Sequence, residues 1–417
     1  MAIHESAAKG FSAGADAYER GRPDYSQQAV ATLVRELKIG PGTRLLDLAA
    51  GTGKLTRQLV DTGAEIVAVE PVAEMRARLV AAVPGAEALE GTAERIPLPN
   101  HSVDAVVVAQ AFHWFDGVRA ISEIRRVLQP TGALGVIWQS RDAARPWIER
   151  LNEIIDGAAA GQPRYRGDAW RAAFDISALF DPLETARFAH IQRGDVATMV
   201  DRVASISYVA AMPADRRAIV LDAVRELLAT DPDTAGAEVI ELPYRADIFW
   251  TRPKAIPAGP STGLLVSVNV SPGGVPKLPI AGTRIRKLGL DGDAHADLKH
   301  HGGPLQAVCL YSVESIERVA SEGHTSFPGA YGENLTLAGI DWGGLRGGDR
   351  LRIGGNGPLL ELTDDATPCS NQARWFIESD ISRISMLRHP EDARWYAKVI
   401  EEGPVAPGDR VELIRTA

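Results

Sequence analysis

Two groups of residues have the types and spacing to do chemistry. The first is Asp47-Leu48-Ala49-Ala50-Gly51-Thr52-Gly53, a turn of mostly small residues between a strand-like run and a helix-like one. Small side chains there let the backbone approach a ligand, and the helix start offers unpaired N–H groups. Alone, such a turn is also an ordinary strand-to-helix connection. Glu70 closes the next apolar run, where a carboxylate can accept hydrogen bonds from both hydroxyls of a ribose. A third segment, Gly91-Thr92-Ala93-Glu94-Arg95-Ile96-Pro97-Leu98, precedes Asp104 and another apolar run. All three elements fall at the C-terminal ends of neighbouring strands, where open parallel sheets bind ligands. Together they point to a nucleoside cofactor. A dinucleotide fits less well, because the turn lacks the G-x-G-x-x-G spacing that seats a pyrophosphate.

The second group lies in the other half. Asp291-Gly292-Asp293-Ala294-His295-Ala296-Asp297-Leu298-Lys299-His300-His301-Gly302-Gly303-Pro304 has the donors for zinc or iron, yet matches neither H-E-x-x-H nor a zinc finger and reads equally as a solvated loop. Ala366-Thr367-Pro368-Cys369-Ser370-Asn371 presents a thiol behind a stiffening proline, with Ser370 and Asn371 able to donate hydrogen bonds around the sulfur. A thiolate there would be a soft metal ligand and a good nucleophile; a buried inert cysteine is the alternative. Cys309, inside the apolar run Ala307-Val308-Cys309-Leu310-Tyr311, reads as a packing residue.

The elements that must position these groups change character along the chain. Leu45–Leu48, Ile66–Val69, Ala105–Val108 and Leu134–Ile137 are continuous apolar runs, separated by the amphipathic stretches Lys54–Asp61, Ala73–Val83 and Val118–Leu128. That alternation predicts an α/β, Rossmann-like parallel sheet with helices on both faces. Trp147 to about Arg245 reads as mostly helical, with Val196–Tyr208 and Asp215–Thr230 the best helices, and closes on the strand-like Tyr244–Thr251. Three prolines and a glycine in Arg252–Ser261 predict a linker over 252–262, between domains spanning 1–251 and 263–417. Beyond it, short β segments at Leu264–Val270, Ala307–Tyr311, Leu351–Ile353, Leu359–Thr363 and Arg410–Ile414, separated by glycine turns, predict a β-rich barrel.

Composition narrows the function classes. A net charge of −9 argues against a protein that grips nucleic acid through its phosphates. No apolar run is long enough for a membrane span, and the N-terminus has neither the basic start nor the apolar stretch of a signal peptide, so a cytoplasmic location is expected. Two cysteines form no disulfide framework and no four-thiolate metal site.

With Tyr18-Glu19-Arg20-Gly21-Arg22-Pro23-Asp24-Tyr25 before the sheet and Gln110-Ala111-Phe112-His113-Trp114-Phe115 after its fourth run, residues from Phe11 to Arg252 resemble the class I S-adenosylmethionine-dependent methyltransferases of small molecules. The resemblance implies that Asp47, Gly51 and Gly53 line the methionine moiety and that Glu70 holds the ribose. It also implies that Ala93 and Glu94 border the adenine and that Gln110 lies beside the sulfonium. Ala49, also in the turn, stands where many members have the first glycine. Tyr18, Arg22 and Tyr25 would close over the cofactor carboxylate, or form a surface turn. His113 is a candidate base toward the methyl acceptor, its ordinary pKa range suiting that role, or a packing residue of the loop.

Gly263 to Ile414 resembles the MOSC domain, named for the C-terminal domain of molybdenum cofactor sulfurases, through Gly273-Gly274-Val275-Pro276-Lys277, the Asp291–Pro304 loop, Gly332-Glu333-Asn334-Leu335-Thr336 and the Cys369 segment. This implies that Cys369 ligates molybdenum, or carries sulfur, and that Lys277 and His301 meet the pterin phosphate or the oxo groups of molybdenum cofactor. Lys277 reads equally as a solvated turn residue. The expectation is a methyltransferase joined to a domain that reduces N-hydroxylated compounds with electrons from an external redox partner. In the rival reading the MOSC domain carries cofactor or sulfur and the first domain is a cofactor-binding sensor.

Overall fold

The computed structural model describes residues 20–159, 169–257, 259, 261–294 and 302–416. The four apolar runs form the centre of a seven-stranded sheet made by β1 (Arg44–Leu48), β2 (Glu65–Val69), β3 (Glu87–Leu89), β4 (Val103–Ala109), β5 (Leu128–Arg141), β6 (Glu184–Gly194) and β7 (Ile240–Thr251). Its order is β3-β2-β1-β4-β5-β7-β6, with the first five strands parallel and β7 antiparallel to both neighbours. Successive strand residues point to opposite faces, so the sheet sorts its own side chains into two cores. Leu45, Ile66, Ala105 and Val107 pack under α1 (Gln27–Glu36) and α2 (Lys54–Leu59). Leu46, Val67, Val106 and Val108 pack on the other face with Ala120, Ile121 and Ile124. Those three sit on α4 (Gly117–Val127), which follows α3 (Ala73–Ala82) and starts where the Asp116 carboxylate accepts a hydrogen bond from the Arg119 N–H.

The segment after Trp147 is less helical than its sequence suggests. Helices α5 (Pro146–Ala158), α6 (Val196–Ala204) and α7 (Ala214–Thr230) share a core with the start of β7, but Glu184–Gly194 forms β6. This strand is the sheet edge and most of its side chains are exposed or half-buried, so it carries no apolar run to betray it.

The second half is a barrel of β8 (Thr262–Val270), β9 (Leu278–Ile280), β10 (Thr283–Arg286), β11 (Gly289–Leu290), β12 (Val308–Ser312), β13 (Leu335–Ala338), β14 (Arg350–Ile353), β15 (Leu359–Asp365), β16 (Trp395–Glu401), β17 (Gly403–Val405) and β18 (Arg410–Ile414). Eight of these follow the order β13-β12-β16-β15-β14-β18-β8-β9, and β13 also pairs with β8, which closes the ring. Closure leaves fewer free strand edges. No helix among the described residues is long and apolar enough to cross a membrane.

The proline-rich segment is held down over its described first half. Arg252 donates to the Glu36 carbonyl at 2.8 Å, Lys254 N–H to the Leu179 carbonyl at 2.9 Å, and Ile256 packs against the core of the sheet. That core continues into the barrel through Leu264, Val266, Val313 and Ala338. Across the same contact, Arg125 and His101 face the buried Glu317 on α8 (Val313–Ser321), both at 3.8 Å, and the Arg119 guanidinium lies 5.2 Å from the Phe327 ring.

Candidate functional site

The turn after β1 adopts a shape few side chains permit. Ala49, Gly51 and Gly53 all have left-handed backbone, with φ of 59°, 59° and 82°. Glycine accepts this freely, whereas the alanine gives up about 1–2 kcal/mol, so the turn is held by its surroundings. Its brace is Glu70: one carboxylate oxygen accepts the Gly51 N–H and the other the Val72 N–H, both at 2.9 Å. Beneath it Asp47 is wholly buried, and Thr56 donates to its Oδ2 at 2.6 Å. Burial, reinforced by the Glu70 charge, pushes the Asp47 carboxyl up to about 7. Its Oδ1 has no hydrogen-bond partner among the described residues. A buried acceptor left open beside a strained turn is a place for a donor on a ligand.

The other expected residues surround this turn in different ways. Ala93 is packed into the core, and the Glu94 carboxylate accepts the Asp116 N–H at 2.9 Å, which anchors the loop before α4. Gln110 also has left-handed backbone, at φ 58°, and its amide donates to the Gln139 carbonyl at 2.8 Å. His113 stacks against Trp114 and Trp138 with ring centroids at 4.8 and 5.4 Å. Burial, then the charge of Arg22, pushes its pKa down to about 4, well below the range expected from its type. The ring is therefore neutral near pH 7 and a weak base.

Arg22, Tyr25 and Gln110 meet in a pocket that residue spacing did not foretell, completed by Pro23, Lys54, Gln139, Arg202 and Tyr244. Tyr18 lies outside the described residues. Nothing in the helical pattern of Val196–Ala204 singles out Arg202.

In the barrel, Cys369 sits at the start of a short helical turn, where its N–H donates to the Gln372 side chain at 3.0 Å. It lines a pocket with Asn371, Lys277, Arg394, Tyr331 and Cys309. Cys309, read as packing from its apolar run, is buried among Ala366 and Tyr396 and still reaches the pocket wall. Burial pushes its thiol up to about 11. Lys277 is not a solvated turn residue: it is buried and paired with Asp293 at 2.5 Å, and Asn334 donates to the same carboxylate at 2.9 Å. Its charge is thus already balanced within the protein. The cation that sequence reasoning missed is Arg394. It is buried, donates to the Tyr331 and Ala366 carbonyls, and leaves Nε without a partner among the described residues. His301 and the rest of 295–301 lie outside the described residues. Among those described, no group of three or more His, Cys, Asp or Glu could hold a metal.

Comparison with known proteins bears on both halves. Residues 46–136 match the family described as methyltransferase domain. An uncharacterised methyltransferase of Mycobacterium tuberculosis is 45% identical over 237 residues, covering 56% of this chain and 91% of that protein. The chain belongs to the S-adenosylmethionine-dependent methyltransferases. A methyltransferase-like protein of Schizosaccharomyces pombe is 32% identical over 233 residues, 56% of this chain and 91% of its own. Residues 297–412 match the MOSC domain, so the methyltransferase is fused to one. Protein YiiM of Escherichia coli is 28% identical over 180 residues, 41% of this chain and 72% of its own.

Proposed function

We propose that this methyltransferase acts on a small-molecule acceptor, and that its MOSC domain, beginning after the 252–262 segment, holds molybdenum cofactor with Cys369 as the protein ligand to the metal. The observation that carries the first part is the open Oδ1 of buried Asp47 beneath a turn braced by Glu70. When bound, S-adenosylmethionine supplies an electrophilic methyl group on a cationic sulfonium. The protein's work is then to orient and to exclude water. In this reading Asp47 and the backbone of Ala49, Gly51 and Gly53 hold the methionine moiety, and Glu70 takes the ribose. The backbone at Ala93 and Glu94 borders the adenine, and Gln110 flanks the reacting centre. Tyr18, Arg22 and Tyr25 close over the cofactor carboxylate. His113, neutral near pH 7, offers an acceptor to an acceptor-group proton, but its pKa of about 4 suits a nucleophile that is already ionised or weakly protonated.

The barrel pocket supports the second part by its chemistry: a thiol and a buried guanidinium with an open N–H suit a soft metal joined to an anionic pterin. Molybdenum cofactor would supply two-electron redox chemistry toward N-hydroxylated compounds. Cys369 would hold the metal, and Arg394, Asn371 and His301 would hold the rest. Lys277, paired with Asp293, would act by shaping that wall. With two cysteines in the chain there is no iron-sulfur ligand set, so electrons would come from an external redox partner, in a cytoplasm that keeps both thiols reduced. Native mass spectrometry with metal analysis, after expression in a host that makes molybdenum cofactor, tests both parts. The expected result is one nucleoside ligand and one molybdenum per chain. Retained pterin and metal without N-hydroxy reduction would favour a carrier, and absence of both ligands would refute the reading.

A further inference from the structure

The pocket beside Gln110 has a strongly one-sided charge. Arg22, Lys54 and Arg202 line it with Gln110, Gln139 and Tyr244, and no carboxylate is among the lining residues. Arg202 is 6% exposed; its Nε donates to the Tyr244 hydroxyl at 2.8 Å, while Nη1 has no hydrogen-bond partner among the described residues. Gln139 is 7% exposed and its Oε1 is likewise unmatched. Burying a cation without a matched anion is costly, and buried polar groups in native proteins are normally satisfied.

The surroundings hold these cations in place rather than let them turn to solvent. The strap Gly21–Tyr25 lies tight on α6: a side chain at Gly21 would meet the Arg202 backbone N at 2.3 Å. Tyr244, which receives Arg202, donates to Gln192, and Gln192 donates to the Gly21 carbonyl at 2.7 Å. Arg22 donates to Ser205, the residue that caps the end of α6, at 3.1 Å. Asp24 is mostly exposed and lies 3.7 Å from Lys54, and Asp201 pairs with Arg20. Behind the pocket, burial and then the charge of Arg202 push Arg141 down to about 10, and Arg22 lowers His113. Positive charge is therefore concentrated around this pocket.

Resting on the methyltransferase reading, we propose that the acceptor is a small anion, a carboxylate or a phosphate ester, and that the buried guanidinium of Arg202 is the group that recognises it. Gln139, through its open oxygen, would receive a donor of the same molecule. Arg202 thus selects the substrate, while Glu70 and Asp47 serve the cofactor.

The test is a thermal-shift and calorimetric titration of the full chain, first saturated with S-adenosylhomocysteine. The probes are succinate and benzoate in one arm, inorganic phosphate and methyl phosphate in a second, and succinamide and benzamide in a third. Binding in either anionic arm, absent from the amide arm and weakened by about tenfold or more in Arg202→Gln, is expected, since a charge-assisted contact to a buried anion is removed. Arg202→Lys should recover part of it. S-adenosylhomocysteine affinity measured on the same samples reports folding of each variant and tests the cofactor reading separately. No response to any anion, equal response to acids and amides, or undiminished anion binding in Arg202→Gln would overturn the proposal.

Discussion

Each half of the molecule has a buried cation on its pocket wall and a buried carboxyl elsewhere in its fold, and the two halves satisfy them differently. In the barrel, Lys277 closes on Asp293, which also accepts from Asn334. Glu333, pushed up to about 7 mainly by burial, accepts the Gly329 N–H at 2.6 Å and the Tyr331 N–H at 3.3 Å. In the sheet half, Asp47 is raised to the same level but keeps Oδ1 open, and Arg202 keeps Nη1 open. A similar pKa thus accompanies two opposite roles. One carboxyl is scaffolding whose hydrogen bonds are supplied internally, and the other keeps one oxygen open, which the proposed cofactor would fill. Among the described residues that line the barrel pocket with Cys369, it is Arg394 that keeps a nitrogen, Nε, open.

The largest effect is expected at that thiol. Cys369→Ser should leave the chain folded, because the side chains are similar in size, yet abolish molybdenum retention and reduction of an N-hydroxylated substrate, because a serine oxygen is harder and far less readily ionised. Cys309→Ser, at a buried position, should cost about 1–3 kcal/mol of stability and keep the metal. Metal analysis of the three proteins decides it, and equal molybdenum in wild type and Cys369→Ser would remove the ligand assignment.

The contrast between the two cations is tested by stability. Lys277→Met strands Asp293 without its partner and should destabilise the protein by about 3–5 kcal/mol, as breaking a buried ion pair does. Arg202→Met leaves no buried anion behind and should cost far less. Denaturation midpoints of the two variants measure the difference; similar losses would mean that Arg202 is as fully paired in the fold as Lys277.

A smaller effect, in pH dependence, separates the two carboxyls. Because the folded Asp47 carboxyl lies above its unfolded value near 3.8, the folded state holds the extra proton between the two values, and stability falls as pH rises from there toward about 7. A ligand donor at Oδ1 favours the ionised form. Affinity for S-adenosylmethionine should therefore rise with pH up to about 7, by at most about tenfold per pH unit, and then level off. Asp47→Asn should flatten that rise, whereas Glu333→Gln should leave it unchanged. Titrations across this range in matched buffers check both.

Much of this arrangement was legible in the sequence, and the reasons for the gaps are physical. Strands buried on both faces announce themselves as apolar runs, so β1, β2, β4 and β5 were readable, while edge strand β6 and three-residue β3 were not. The turn from Asp47 to Gly53 and Glu70 were visible because left-handed backbone and a strand-end carboxylate leave a local pattern. Arg202, Gln139 and Arg394 reach their pockets through tertiary packing, which leaves no spacing to read. The prolines of 252–257 break regular structure, and the backbone there is pinned by Glu36 and Leu179, residues distant in sequence. Cys309 was assigned to packing from its apolar neighbours. It faces the pocket because β12 pairs with β16 beside it, with Cys309 opposite Tyr396.

The central claim is that the turn braced by Glu70 holds S-adenosylmethionine, and calorimetric titration of the intact chain with S-adenosylmethionine and S-adenosylhomocysteine tests it most directly. The account predicts saturable one-site binding of both, weakened in Glu70→Ala by about 1–3 kcal/mol through loss of the ribose hydrogen bonds and of the brace at Gly51. Absence of saturable heat with either ligand, or wild-type affinity in Glu70→Ala, would contradict it.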